Sequence, residues 1–331
     1  MPDAVGALTK PQPLNGETRM FSRRSILALL PATLFAARSA VAAPAPVFRV
    51  GFQKGEPILV AARQNRSLEQ ALSPLGMKVE WLEFPFGPPM LEAMRVGSID
   101  FGGVGDTPPI FAQAAHADLL YVAAEPSGAS ALLVPPGSTL QTLRDLKGKR
   151  LAFARGSSAH NLAVAAVEKA GLSWSDIVPV ALAPADAAAA FERGGIDAWS
   201  IWDPYYALYE KRPGVRVLAS SADIVAQNSY YIARHNFVSA NPNAVAIAVE
   251  TLANVATWAS THRAEVADLL SAGTGVPADI ELRVIQRSPL KVLPMDPRFT
   301  ESQQRIADRF HALGLIPGAI TVQTQVWRAN A

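Results

Sequence analysis

The chain has 331 residues, 50% of them hydrophobic and 18% charged, with no cysteine and a formal charge of +2. It is too apolar to be disordered and long enough for one large domain or two lobes with sizeable cores. Without cysteine there is no disulfide, thiolate zinc site, iron–sulfur cluster or cysteine nucleophile.

Residues 1–43 hold five basic groups (Lys10, Arg19, Arg23, Arg24, Arg38) against the acids Asp3 and Glu17, which leaves 25 basic and 26 acidic side chains in residues 44–331. A body this close to neutral gives no nucleic-acid footprint. The basic excess sits where an export signal has it. Ser22-Arg23-Arg24-Ser25 precedes a mildly apolar run, Ile26 to Ala37, and small residues follow with an A-x-A pattern at Ala40-Val41-Ala42. The run holds Pro31 and falls short of the roughly 20 residues that span a bilayer. The paired arginines resemble a twin-arginine signal, and Arg38 after the apolar run fits that route. Residues 1–43 are therefore expected to be a cleavable leader to the periplasm, outside the fold.

From Val47 onward, short apolar runs alternate with helical stretches, which predicts an α/β architecture. Strands are expected at 47–52, 78–84, 99–101, 119–124, 151–154 and 196–201. Helices are expected at 58–75, 88–96, 108–115, 161–170 and 185–193. After Pro242 the chain turns helical, with Val245, Val249, Leu252 and Val255 on one apolar face. Tyr121–Leu133 and Ser229–Phe237 read as two crossings between lobes. Residues 44–127 with 231–331 then form one lobe, residues 128–230 form the other, and a cleft between them is lined by strand ends.

Four strand-end segments carry the candidate chemistry. Phe52-Gln53-Lys54-Gly55 offers an amide that both donates and accepts. Gly103-Val104-Gly105-Asp106-Thr107-Pro108-Pro109 also reads as a plain helix start, with Asp106 or Thr107 as N-cap. Arg155-Gly156-Ser157-Ser158-Ala159-His160-Asn161 opens a helix where N–H groups, the positive dipole end and two hydroxyls make either an anion site or an ordinary serine cap. Ser200-Ile201-Trp202-Asp203-Pro204-Tyr205-Tyr206 supplies aromatics for an apolar ligand or for the core. No phosphate loop, dinucleotide fingerprint or H-E-x-x-H motif appears, and no ligand spacing suits a metal. A Ser-His pair at 157 or 158 and 160 lacks an orienting group and an oxyanion hole, so no catalytic residue is assigned.

Taken in order, these segments resemble the aliphatic sulfonate-binding proteins of bacterial ABC importers, from about Phe48 to Arg328. Pro88-Pro89-Met90-Leu91-Glu92-Ala93, Val96-Gly97-Ser98-Ile99-Asp100-Phe101-Gly102, Lys147-Gly148-Lys149-Arg150-Leu151-Ala152-Phe153 and Asp197-Ala198-Trp199 complete the likeness. The resemblance implies a two-lobed periplasmic binding protein-like fold of type II with two crossover strands and a ligand cleft between the lobes. It implies that Gln53, Gly105, Asp106 and Thr107 face Ser157, Ser158, His160, Trp202 and Asp203 across that cleft. A sulfonate is a permanent monoanion that N–H groups and hydroxyls can hold. Its tail would lie against Trp202, Tyr205 and Phe84 or Phe86. Two departures stand out: Gly103-Val104 replaces small hydroxyl residues more usual in the family, and most relatives use the general secretory route.

The implied function is a non-enzymatic, monomeric receptor without cofactor or metal. It hands an organosulfonate to an ABC permease and its ATPase subunits for sulfur acquisition. Two alternatives stand beside it. One is a related binder for taurine, nitrate or a thiamine-precursor pyrimidine, in which Asp106 and Asp203 pair with a ligand cation rather than cap helices. The other is an enzyme on the same fold, which in the desulfinase case needs a cysteine nucleophile that this chain lacks.

Overall fold

The computed structural model describes residues 45–328. The expected leader, residues 1–43 with its twin-arginine reading, lies outside the described residues. Ten strands form two five-stranded sheets. The first holds β1 (Val47–Phe52), β2 (Lys78–Glu83), β3 (Phe101–Gly105), β4 (Leu119–Pro126) and β10 (Asn228–Arg234), in the order β2-β1-β3-β10-β4. The second holds β5 (Ser130–Val134), β6 (Arg150–Phe153), β7 (Val178–Ala181), β8 (Ala198–Trp202) and β9 (Arg216–Ser220), in the order β7-β6-β8-β5-β9.

The two sheets share one plan. β1 runs parallel to β2 and β3, and β10 enters between β3 and β4 antiparallel to both. β6 runs parallel to β7 and β8, and β5 enters between β8 and β9 antiparallel to both. Each crossing strand therefore ends up inside a sheet rather than at its edge. β5 shows why: its sequence, SALLV, is buried at every residue, as a strand covered on both faces requires. Leu132 and Val134 pack on one face with Phe153 and Leu162, while Ala131 and Leu133 pack on the other with Phe191 and Trp199.

The first sheet is likewise covered on both faces. Phe48, Val50 and Phe52 meet Leu252 and Ala256 of the helix Pro242–Thr261, and Tyr121 and Tyr230 meet Phe310 of the helix Pro297–Ala312. The aromatic run expected to be a crossing is thus mostly strand. Asn228 already pairs with Pro126, and Tyr230 and Tyr231 are core residues. The expected boundary after residue 230 falls inside β10, and the chain returns to the first sheet through residues 221–227.

Other differences have local causes. The expected helix 58–75 is two helices, Pro57–Gln64 and Ser67–Leu72, separated where Arg66 takes a left-handed conformation. β3 begins at Phe101 and runs on through Gly102, Gly103 and Gly105. A Cβ on Gly102 would lie 2.8 Å from the Gly51 carbonyl oxygen, so this strand needs glycine to lie against β1. β7 and β9 are outer strands of the second sheet that no expected strand covered. Among the described residues no helix is long and apolar enough to cross a membrane.

Candidate functional site

Between the two sheets lies a cavity of about 80 Å³. One water occupies roughly 10–15 Å³ on the same measure, so the space suits a small organic molecule. The first half contributes Gln53 after β1, Gly105 at the end of β3 and Glu125 on β4; the second contributes Ser157 and Ser158 after β6 and Trp202 and Asp203 at the end of β8. Ser127–Ser130 and Gln227 from the two crossings, with Ser229, Tyr230 and Tyr231 of β10, complete the walls.

Six of the ten expected residues line this cavity: Gln53, Gly105, Ser157, Ser158, Trp202 and Asp203. The Gln53 side-chain amide donates to the Gly103 carbonyl at 3.0 Å and to Glu56 Oε1 at 3.2 Å, which fixes its orientation. Ser157 Oγ donates to the Ala154 carbonyl at 2.6 Å, so this serine does not cap its helix by its side chain. The Ser158 main-chain oxygen accepts from Gln227 Nε2 at 2.8 Å, which joins the helix start to the second crossing. Helix Ser158–Lys169 thereby directs its first turn, with N–H groups that have no intrahelical acceptor, toward the space between the halves.

Asp106, Thr107, His160 and Tyr205 are placed elsewhere. Asp106 is fully buried. Its Oδ1 accepts from Thr107 Oγ1 and its Oδ2 from Asn161 Nδ2, both at 2.8 Å. Asn161 Oδ1 in turn accepts from Arg309 Nη1 at 3.0 Å. Asp106 and Thr107 therefore build a strut between the halves. Burial raises the Asp106 carboxyl to about 6, against hydrogen bonds from Thr107 and Asn161 that favour its charged form. His160 stacks on Phe153 with ring centroids 4.4 Å apart and meets Phe310 edge-on at 5.0 Å. Its Nδ1 accepts from the Gly156 N–H, and burial followed by the nearby Arg155 charge lowers it to about 3. It is a neutral core histidine and does not face the cavity. Tyr205 packs edge-on against Trp199 instead of lining the cavity. Phe84 and Phe86 also lie outside the lining; Phe84 packs on the core beneath the first sheet.

Asp203 lines the cavity but is already paired. Its Oδ2 accepts from Arg287 Nε at 2.8 Å, and its Oδ1 accepts from Arg287 Nη2 at 2.7 Å and from the Ala207 N–H at 3.0 Å. It both caps the short helix after β8 and holds a bidentate ion pair. Arg287 also lies 3.0 Å from Glu210 and 4.0 Å over the Tyr206 ring. It follows the helix Ala278–Gln286, whose Ile280 and Val284 pack on Ala207. No sequence motif marked it.

Glu56 and Glu125 also line the cavity and were not expected. Glu56 Oε2 accepts from the Gln53 N–H at 2.8 Å, and Glu125 Oε2 accepts from the Tyr231 hydroxyl at 2.8 Å. Burial raises both carboxyls, Glu125 to about 7. The available signal was the crossings themselves: Glu125 and Tyr231 lie within the two segments read as crossings, and Glu56 directly follows the first strand-end segment. Among the described residues no group of three or more His, Cys, Asp or Glu side chains could hold a metal ion.

A family described as ABC transporter, phosphonate, periplasmic substrate-binding protein matches residues 65–253. The alkanesulfonate-binding protein SsuA from Xanthomonas axonopodis pv. citri, solved bound to MOPS, is 42% identical, with 86% of this chain and 99% of that one covered and a TM-score of 0.81. This chain belongs to the aliphatic sulfonate-binding family of bacterial ABC importers. The periplasmic aliphatic sulphonate binding protein SsuA from Escherichia coli is 39% identical, with 87% and 94% of the two chains covered and a TM-score of 0.79. The taurine-binding periplasmic protein of Escherichia coli K12 is 27% identical over 68% of each chain. The fold is the two-lobed periplasmic binding protein fold that the sequence led us to expect. In this family setting the space between the sheets is the ligand cleft, and the molecule is described with its two halves in contact.

Proposed function

We propose that this chain captures an aliphatic sulfonate in the periplasm, buries it between its two lobes and delivers it to an ABC permease for sulfur acquisition. The observation that carries this reading is the lining on the second-lobe side. Ser158 and the first turn of its helix bring a hydroxyl and N–H groups to a cavity that no lysine, arginine or histidine lines among the described residues. Such neutral donors suit a permanently charged monoanion, and Trp202 gives an apolar wall for its tail. The protein acts as a receptor, not an enzyme. Ser157 donates to a main-chain oxygen, His160 is buried away from the cavity, and the chain has no cysteine. Residues 1–43 carry it across the inner membrane by the twin-arginine route.

Thermal shift against alkanesulfonates, taurine, sulfate and nitrate tests the reading. Sulfonates are expected to raise the melting temperature at concentrations well above a micromolar dissociation constant, where saturation at 100 times Kd adds about 2.7 kcal/mol. If only nitrate or sulfate does so, the sulfonate assignment fails.

The closed arrangement makes a second prediction. A Cβ added to Gly55 would lie 2.7 Å from the main-chain oxygen of Asp203, in the opposite half, and backbone yields less readily than a side chain. Gly55→Ala is expected to hold the lobes apart and weaken sulfonate binding about tenfold or more, about 1.4 kcal/mol. Small-angle scattering of the ligand-saturated variant should give a larger radius of gyration than the ligand-saturated wild type. Equal radii and equal affinities would show that the contact is accommodated.

A further inference from the structure

We propose, on the sulfonate-binding reading above, that Glu56 and Glu125 form a cation subsite in the cleft, so that the ligands held most tightly are zwitterionic sulfonates that carry an ammonium group. Both carboxylates line the same small cavity, one from the turn after β1 and one from the end of β4. Every hydrogen bond that they are seen to make is an accepted one: Glu56 takes the Gln53 N–H at 2.8 Å and the Gln53 amide at 3.2 Å, and Glu125 takes the Tyr231 hydroxyl at 2.8 Å. Three donors thus already point at the pair. Gly103 makes the room, because a Cβ there would lie 2.6 Å from Glu56 Oε1.

Among the described residues no basic side chain lines the cavity. Arg287, across the space, is taken by Asp203 and Glu210. Lys54, two residues before Glu56, donates to the Thr274 carbonyl at 2.6 Å. Buried like charges are relieved either by holding protons or by a counter-ion, and a simple alkanesulfonate offers no counter-ion and adds a further negative charge. An aminosulfonate instead brings an ammonium for the carboxylates and a sulfonate for the Ser157–Ser158 helix start. Asp106 and Asp203, the carboxylates first considered for such a cation, are engaged with Asn161 and Arg287.

The test compares 3-aminopropane-1-sulfonate with butane-1-sulfonate, which differ by an ammonium in place of a methyl group, using isothermal titration of the full mature chain. Wild type is expected to prefer the aminosulfonate by about tenfold or more. Glu125→Gln and, separately, Glu56→Gln are expected to lose that preference while still binding butanesulfonate. Repeating the titration at pH 7 in buffers of different ionisation enthalpy gives a readout that a purely structural role does not move. Gln53 and Tyr231 hydrogen-bond the pair, the two carboxyls act on each other, and Asp203 is the other carboxyl that lines the cavity. Burial raises both carboxyls, Glu125 to about 7, so an arriving ammonium should expel protons from the pair. Equal affinity for the two ligands, a preference that survives in both variants, or proton uptake on aminosulfonate binding would each overturn the subsite. If neither sulfonate binds, the sulfonate-capture reading itself falls.

Discussion

Replacing Arg287 with methionine is expected to lower the melting temperature by about 6 °C or more and to weaken sulfonate binding. The guanidinium makes two hydrogen bonds to Asp203, at 2.8 and 2.7 Å, and reaches Glu210 at 3.0 Å. The Asp203 side chain is 7% exposed, so removing its partner leaves a carboxylate stranded out of water. Breaking a buried pair from one side costs about 3–5 kcal/mol, much of it the penalty of the orphaned charge. For a domain of this size each kcal/mol moves the midpoint by roughly 2 °C. Arg287 also covers the Tyr206 ring at 4.0 Å, and methionine keeps some of that contact while removing the charge. The diagnostic partner is Asp203→Asn. In the double variant no buried charge is orphaned at this pair, and Glu210 keeps Arg283. Most of the lost stability should therefore return, as a positive coupling in a double-mutant cycle. Binding should recover less, because Arg287 follows a helix of one half and Asp203 ends a strand of the other. If Arg287→Met melts within a degree of wild type, the Asp203 carboxylate is not stranded by the loss of its partner.

That ion pair also marks the limit of what the sequence could tell. The α/β alternation, the strands β1 and β2 and the helix starts at Thr107 and Ser158 follow from local patterns, and the structure has them close to where those patterns put them. Six expected residues reach the cavity because glycine turns at the carboxyl ends of inner strands point there by topology. Asp106 and His160 show the failure mode. Both lie in the expected strand-end segments, yet one is drawn into a strut with Asn161 and the other into an aromatic stack with Phe153, and neither spacing nor residue type separates these outcomes from ligand contact. Glu56, Glu125 and Arg287 take their places from packing between distant segments: Arg287 meets Asp203 across 84 residues of chain. β7 was hidden for a different reason. Pro179 argues against a strand, but an outer strand exposed at Val178 and Pro179 tolerates it.

The buried carboxylates predict an unusual direction for stability against pH. Asp106 is raised to about 6 and Glu125 and Glu281 to about 7, all chiefly by burial, and Glu56 is raised with them. In the unfolded chain these groups titrate near 3.9 to 4.3. Between pH 8 and 5 the folded state therefore binds more protons than the unfolded state, and stability rises as pH falls. The contribution is complete below the unfolded values and is lost as pH rises through 6 to 7. Asp106, Glu125 and Glu281 are each worth on the order of 1 to 3 kcal/mol over that range. Carboxylates held low by donors, such as Asp197 beside Arg150 and Asp176 beside Ser173, set the opposite limb, which acts only below about pH 4. The ligand-free protein should thus melt several degrees higher at pH 5 than at pH 8. Glu281→Gln should flatten that slope, since its Oε1 accepts from Thr274 Oγ1 at 2.7 Å and a glutamine can keep the bond without the charge. A melting temperature that falls steadily from pH 8 to 5 would mean that these carboxylates stay ionised in the folded chain, and the cation subsite would then have to release no proton when it fills.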